Sequence, residues 1–515
     1  MRRSVSAIAL CALAGPAIAQ VEAADVWEDL RTGAEAWGYT VDSAAVDIGE
    51  DDVSITDLTF TYVGESEAPS RDREGETVDV TTEIVVTLPS LRIVEEGETA
   101  VIELPGAMPF RMTGMSTEME EGRSGFGGTL AQEGMRLTVA EQGEAKVYSY
   151  TANAMTMTLD EIDDPTAPET FDVSIRLEEL AGDTRTSDDA EGRRVSEQSV
   201  GAARMTISAD ISDTGGEDPG TLALAAAYSN LSGGGTAVLP RDVDMNDIAA
   251  ALDAGFDVTS DISVGAGRTE MEFTSPEGSF SYASNSQGGT FEVVLSPEIL
   301  RYGITSRGGD TSIVGSNIPV PEIAYAVDST RFVFEVPPMG SDEPQAFGLD
   351  LAVRGLALNE SLWSLFDPQG VLPRDPANLV LDLAGSAVFP EGLMEMSGGQ
   401  VPGAEPPVLD RLEIERLEIS LAGAAIIGRA LLSGTPDGAP VAPGLPPVQG
   451  TAELSATGIN ALMDGLAQIG LVPPQQGAMV RGMLGFIARP TGEDSYATEL
   501  EIGPGGLTAN GMPLR

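Results

Sequence analysis

The sequence predicts a mainly β protein of the α+β kind: a large, mostly antiparallel sheet carrying a few capping helices. Three observations point there. Short apolar-x-apolar runs recur along the chain, separated by Gly, Pro, Asn and Asp. Helical periodicity is confined to a few stretches. Residues 347–373 and 449–514 repeat one order of strand, Gly-apolar turn, Asn, apolar helix and Pro exit, with a weaker copy at 245–256. The pattern leaves open whether the sheet closes as a sandwich or lies open as a groove, but a long open edge explains capping helices, because bare strands invite pairing.

Residues 1–19 read as an export leader. Arg2 and Arg3 precede an apolar run at 5–14, and Ala17-Ile18-Ala19 is a small-x-small cleavage site. The run falls short of the ~20 apolar residues that span a bilayer, and no comparable run follows, so no transmembrane segment is expected in the mature chain. Cys11, the single cysteine, follows Leu10 rather than the small residue a lipoprotein site needs. The expectation is a soluble periplasmic protein cleaved after Ala19.

In order, residues 21–38 form a predicted amphipathic helix through Val26, Trp27, Leu30, Ala34 and Trp37, stopped by Gly38. Both tryptophans are assigned to core packing. Val53, Ile55, Leu58 and Phe60 mark a strand with a phase change at Thr56-Asp57, and Ile84, Val86 and Leu88 mark another. Residues 64–77 read as a loop. The methionines from Met108 to Met157 read as core filling, since thioether without His or Cys makes no general metal site. Residues 171–180 and 205–211 are strands, 181–200 a charged loop, and 213–220 a turn. A boundary there would divide the chain into halves 20–215 and 216–515, or the two form one continuous domain. Short, hairpin-spaced strands follow to residue 336.

In the first good repeat, Leu349, Leu351 and Val353 form a strand. Asn359 caps the helix 360–366, with Leu358 placed to staple against Trp363. In the last repeat Asn460 starts a helix carrying Leu462, Met463, Leu466 and Ile469. A second helix follows the Pro-Pro break, and Asn510-Gly511 closes the final strands. Between the repeats, residues 412–421 form a strand with one bulge.

Against 28 basic residues stand 81 acidic ones, a formal charge of -53. Such a surface repels nucleic acid and anionic headgroups. With no His, Ser-His-Asp triads, Cys-His dyads and His-ligated zinc are excluded. Lys146 does not follow a phosphate loop, and Lys146 with Ser149 lacks a catalytic motif. Asp213-Thr214-Gly215 is one copy of a tripeptide whose chemistry needs two, set in an ordinary turn. Asp242, Asp244, Asn246 and Asp253 match calcium-loop positions, but Asp247 stands where Gly is required, so a helix N-terminus is the reading. No catalytic, cofactor-binding or metal-ligating residue is nominated, and no cofactor is expected. A carboxylate pair for glycoside hydrolysis stays open among so many acids.

The leader, the Trp27 helix ending in Gly38, the stretch 106–150, and the closing motifs Gly-Leu-Val-Pro-Pro (470–474), Gly-Met-Leu-Gly-Phe (482–486) and Leu-Thr-Ala-Asn-Gly-Met-Pro-Leu (507–514) resemble the domain of unknown function 2125 family. Its members are exported alphaproteobacterial proteins. That resemblance implies no activity and transfers no catalytic residue. More distantly the chain is similar to large AsmA-type envelope proteins, which implies an open β-groove linked to lipid handling. The expected function is an exported, non-enzymatic β scaffold of the cell envelope that binds an apolar or lipid-like ligand, with an envelope protein as a further partner. The alternatives are a hydrolase using paired acids and an extracellular interaction protein.

Overall fold

The computed structural model describes residues 21–69, 77–116, 123–163, 170–213, 219–241, 243, 245, 247–392, 406–435, 446–503 and 506–514. Within them, 27 strands join in a single sheet. The mainly β expectation holds. Hairpin follows hairpin, and every pairing is antiparallel, as in 170–188 with 194–213 and 194–213 with 220–239. The first strands (Tyr39–Asp42 and Ala45–Ile48) and the last (Met512–Pro513) each pair on one side only, so the sheet does not close into a barrel.

Many strands are longer than the sequence suggests. Thr77–Glu96, Arg194–Asp213 and Gly220–Leu239 each run 20 residues. The reason lies in one recurring irregularity. Glu179, Asn230, Gly308 and Gly355 have φ of 52°, 51°, 49° and 67° inside otherwise extended strands, and the ladder breaks at each. At each break the residue opposite is unpaired as well and the pairing resumes in the same register, yet the left-handed residue bends the strand, and at Glu179 it brings Leu177 and Leu180 to one face. In Thr170–Asp188 the apolar face runs Phe171, Val173, Ile175 and Leu177, then passes to Leu180 and Gly182 beyond Glu179. Read by period, one bent strand therefore resembles two short ones. Asp57 (φ 49°) breaks the first long strand in the same way, at the phase change seen in the sequence.

These breaks align from strand to strand and crease the sheet. Apolar residues from both sides of the line meet there: Ala152, Leu180 and Ala202 are buried, with Met155 and Leu177 packed against them.

Five helices lie among the described residues: α1 (Ala23–Ala36), α2 (Ile248–Asp253), α3 (Glu360–Phe366), α4 (Ile459–Gln468) and α5 (Pro474–Ile487). The α1 helix buries Val26 and Trp27 against Val53, Ile55, Ile93 and Ile102, and its first amide, Ala23 N, donates to Glu95 Oε1 at 2.9 Å. The α2 helix seats Leu252 on Leu239, Val258 and Leu295. The α3 and α4 helices share a core of Trp363, Leu372 and Ala422, which Leu358 joins as the expected staple. No described helix is long and apolar enough to cross a membrane.

Several expectations need correction. Residues 181–200 are two strands joined at 189–193 rather than a charged loop, and strand structure extends to Pro69 and resumes at Thr77 where a loop was expected. Alternation of small and polar residues against charged ones hid the first pair, because its inward positions are Gly182, Thr184 and Thr186 rather than large hydrophobes. Asn460 does not cap α4. Gly458, at φ 70°, precedes the helix, and the Asp494 carboxylate accepts the amides of Asn460 and Ala461, both at 3.0 Å. Trp27 is in the core as expected, but Trp37 is 46 % exposed.

Candidate ligand groove

Directly opposed residues of an antiparallel pair project on the same face, so the register assigns each side chain to a face. One row of opposed residues crosses nearly the whole sheet. It begins Ile48, Val53, Ile93, Ile102, Leu137, Tyr150. It passes through Gly182, Val200, Gly233, Ile262, Phe291 and Ile304. It continues as Phe332, Leu351, Leu381, Leu417, Gly428 and Leu454 and ends at Thr498. No charged residue interrupts it.

Across the crease a second row shares the apolar character: Phe60, Val86, Phe110, Gly128, Leu159, Val173, Ala209, Leu224, Met271, Tyr282, Ile313 and Ile323. Methionines 155 and 157 sit on this face beside the crease, so they serve its lining as well as its packing.

The opposite face is ionic. Arg301 pairs with Glu335 at 3.0 Å, Arg411 with Glu413 at 2.8 Å and Arg429 with Glu453 at 2.7 Å, and Arg331 is joined to Asp350. These pairs are exposed or half-exposed and add little stability. Their effect is to keep that face wet while the apolar face turns away from it.

The apolar face is left uncovered over its middle. Phe332 is 42 % exposed and Ile304 50 %, and Ile262 and Phe291 are similarly open. A facing sheet would bury them, and none lies over them among the described residues. At the N-terminal end the same row is sealed: Val53, Ile93 and Ile102 lie buried under α1. At the other end the Thr498 hydroxyl donates to the Ile487 carbonyl at 2.7 Å and Asn510 Nδ2 to the same oxygen at 2.9 Å, tying α5 to the last strands.

Where α1 ends, a cavity of about 570 Å³ opens onto the groove, within the size range of small-molecule sites. Leu30, Trp37, Tyr148, Tyr150 and Leu239 supply its apolar wall, and Lys146, Arg194, Asp29, Glu144 and Asp188 its charges. Lys146 is ion-paired to Asp29 of α1, and Asp188 accepts from Arg241 at 2.6 Å. Burial, reinforced by the Asp29 charge and opposed by Arg194, pushes the Tyr148 phenol up to about 12. Burial and nearby Asp183 raise Tyr150 as well. At Gly182 a Cβ would collide with the Tyr150 ring and the Ser199 carbonyl, so glycine is what lets the ring lie across the floor. A cavity of about 740 Å³ on the ionic face is lined by Arg416, Arg429, Glu453 and Glu499 instead.

The motifs considered from sequence sit elsewhere or apart. Lys146 and Ser149 fall on opposite faces, Ser149 donating to Asp183 at 2.5 Å. Asp213 ends a strand opposite Gly220, and Thr214 and Gly215 lie outside the described residues. Asp242, Asp244 and Asn246 also lie outside them, while Asp247 caps α2 by accepting from Ala250 N at 3.0 Å. Trp37 and Arg194 went unrecognised as cavity residues. Trp37 occurs at core spacing on its helix, and Arg194 fell in a stretch read as loop.

No curated protein and no solved structure matches the chain. A family model described as "Uncharacterized protein conserved in bacteria (DUF2125)" matches residues 259–514. That stretch begins inside the strand Asp257–Val264 and takes in Ile262, Phe291, Ile304, Phe332 and the rest of the row to Thr498. The half of the chain that builds the open part of the groove thus belongs to the DUF2125 family.

Proposed function

We propose that this chain is an exported periplasmic scaffold whose creased sheet holds a long-chain amphiphile along its apolar face. The observation that supports this most strongly is the uninterrupted row from Ile262 to Leu454, apolar or glycine at every strand and open to solvent from Ile262 to Phe332. An apolar strip of that extent is costly to leave in water, and a flexible hydrocarbon chain matches both its length and its lack of polar partners. The formal charge of -53 disfavours an anionic head, leaving neutral, zwitterionic or cationic heads at the rim. Residues 1–19 support export, and the ion pairs of the outer face suit a scaffold in an aqueous compartment.

The test is to purify the full chain from its native envelope without detergent and extract it with organic solvent. Stoichiometric lipid in the extract, and saturable uptake of a fluorescent zwitterionic lipid by the stripped protein, are the expected results. Reproducibly empty protein that takes up no fluorescent lipid overturns the proposal.

A further inference from the structure

The α5 helix is apolar on two faces, and only one is packed. Gly477 is buried, and Val480, Leu484 and Ile487 are half-buried on the side toward the protein. Met479, Met483 and Phe486, spaced i, i+4, i+7, form the other face, and they are 66 %, 58 % and 60 % exposed. Leu471, just before the helix, is exposed too. An exposed apolar stripe on a helix whose other apolar face is already packed calls for an apolar surrounding of its own.

The charge pattern says which surrounding. Between Asp464 and Glu493 the sequence holds no acidic residue, although 81 occur in 515, and its only charges are Arg481 and Arg489. That stretch lacks the acidity found along the rest of the chain. Arg481 is paired to Asp464, and Arg489 donates to the Asn510 carbonyl at 2.8 Å. Both are exposed, Arg481 two residues from Met479 and from Met483 and so on the side of α5 turned away from the stripe, and Arg489 just beyond the end of the helix. The stripe itself is a few side chains wide, on the order of a few hundred Å², below the ~800 Å² per partner of a stable protein interface. Exposed methionine and phenylalanine on a helix that carries no carboxylate of its own are the composition of a helix that lies in a bilayer interface.

We infer that α5 is a membrane-docking helix, inserting Met479, Met483 and Phe486 among the acyl chains of a zwitterionic bilayer. The acidic body stays in water and penalises strongly anionic membranes. The inference stands apart from the groove: the exposure and charge of α5 carry it, whatever the groove holds.

The experiment is flotation of the full chain with phosphatidylcholine vesicles and with vesicles containing added phosphatidylglycerol. The wild type is expected to float with the first and less with the second. The triple variant M479E/M483E/F486E should lose about tenfold or more in bound fraction, with unchanged circular dichroism and unchanged lipid uptake by the groove. A second variant, Met483→Trp, should shift its emission to the blue when phosphatidylcholine vesicles are added. Wild type that fails to float, a triple variant that floats equally, or no emission shift overturns the inference. So does a dimer in solution that the triple variant splits, which would assign the stripe to a second copy of the chain.

Discussion

Burial in the cavity wall holds the Tyr148 phenol at about 12, against 10.0 for the free group. Between those values the unfolded chain gives up the proton first, so this contribution to stability is complete below pH 10 and is lost as pH rises toward 12. Phenolate absorbance should show one tyrosine titrating near 12, and Tyr148→Phe should remove that part of the alkaline loss of stability. Asp367 is the acidic counterpart. Burial would raise it, but the Arg374 guanidinium at 2.5 Å and the Leu372 and Val371 amides, both at 2.9 Å, hold it below its usual range. Arg374 in turn lies 4.3 Å from the Trp363 ring centroid, so one carboxylate locks the loop after α3 onto the helix. None of this was legible in the sequence, since the Asp-Pro at 367–368 reads only as a helix stop and the partners come from the fold.

Local chemistry was most legible where an element is closed by its own residues. The helix Glu360–Phe366 occurs with the boundaries its sequence implies, because Asn359 Oδ1 accepts from Leu362 N at 3.0 Å and Leu358 packs beside Trp363. Replacing Asn359 by Ala should cost about 0.5–2 kcal/mol, measured as a lower denaturant midpoint at unchanged slope. The Asn510-Gly511 turn is equally local, with both residues at positive φ. Asn460 failed as a cap because its helix is closed by Asp494, 34 residues further on and brought beside it by the sheet. The long strands were hidden for a related reason. Each crease interrupts the ladder and bends the strand, and at Gly355 even the choice of residue is dictated by the neighbouring strand. Its φ of 67° suits glycine, and a Cβ there would collide with the Asp328 carboxylate.

At the scale of the whole molecule, alternation announced a sheet, but only register could show that the apolar positions of successive strands fall on one face and form a continuous strip. The sequence left a facing sheet and a ligand as the two ways to cover that strip. The exposure of Ile304 and Phe332 shows no facing sheet over the strip among the described residues, and the ligand is our proposal. That proposal also explains why no motif for chemistry was found on this face: its residues are selected to be apolar and to keep the register. The central claim is that the strip is open in the protein alone and is covered by a ligand. Cysteine labelling tests it directly, with Phe332→Cys on the strip and Val53→Cys beneath α1, each in a Cys11→Ser background. In lipid-stripped protein, the thiol introduced by Phe332→Cys should react with a maleimide at nearly the rate of an unfolded control. The thiol introduced by Val53→Cys should stay protected, and added zwitterionic lipid should slow labelling of the Phe332→Cys variant alone. Equal protection of the two thiols without lipid would mean that protein covers the strip, and would contradict the account.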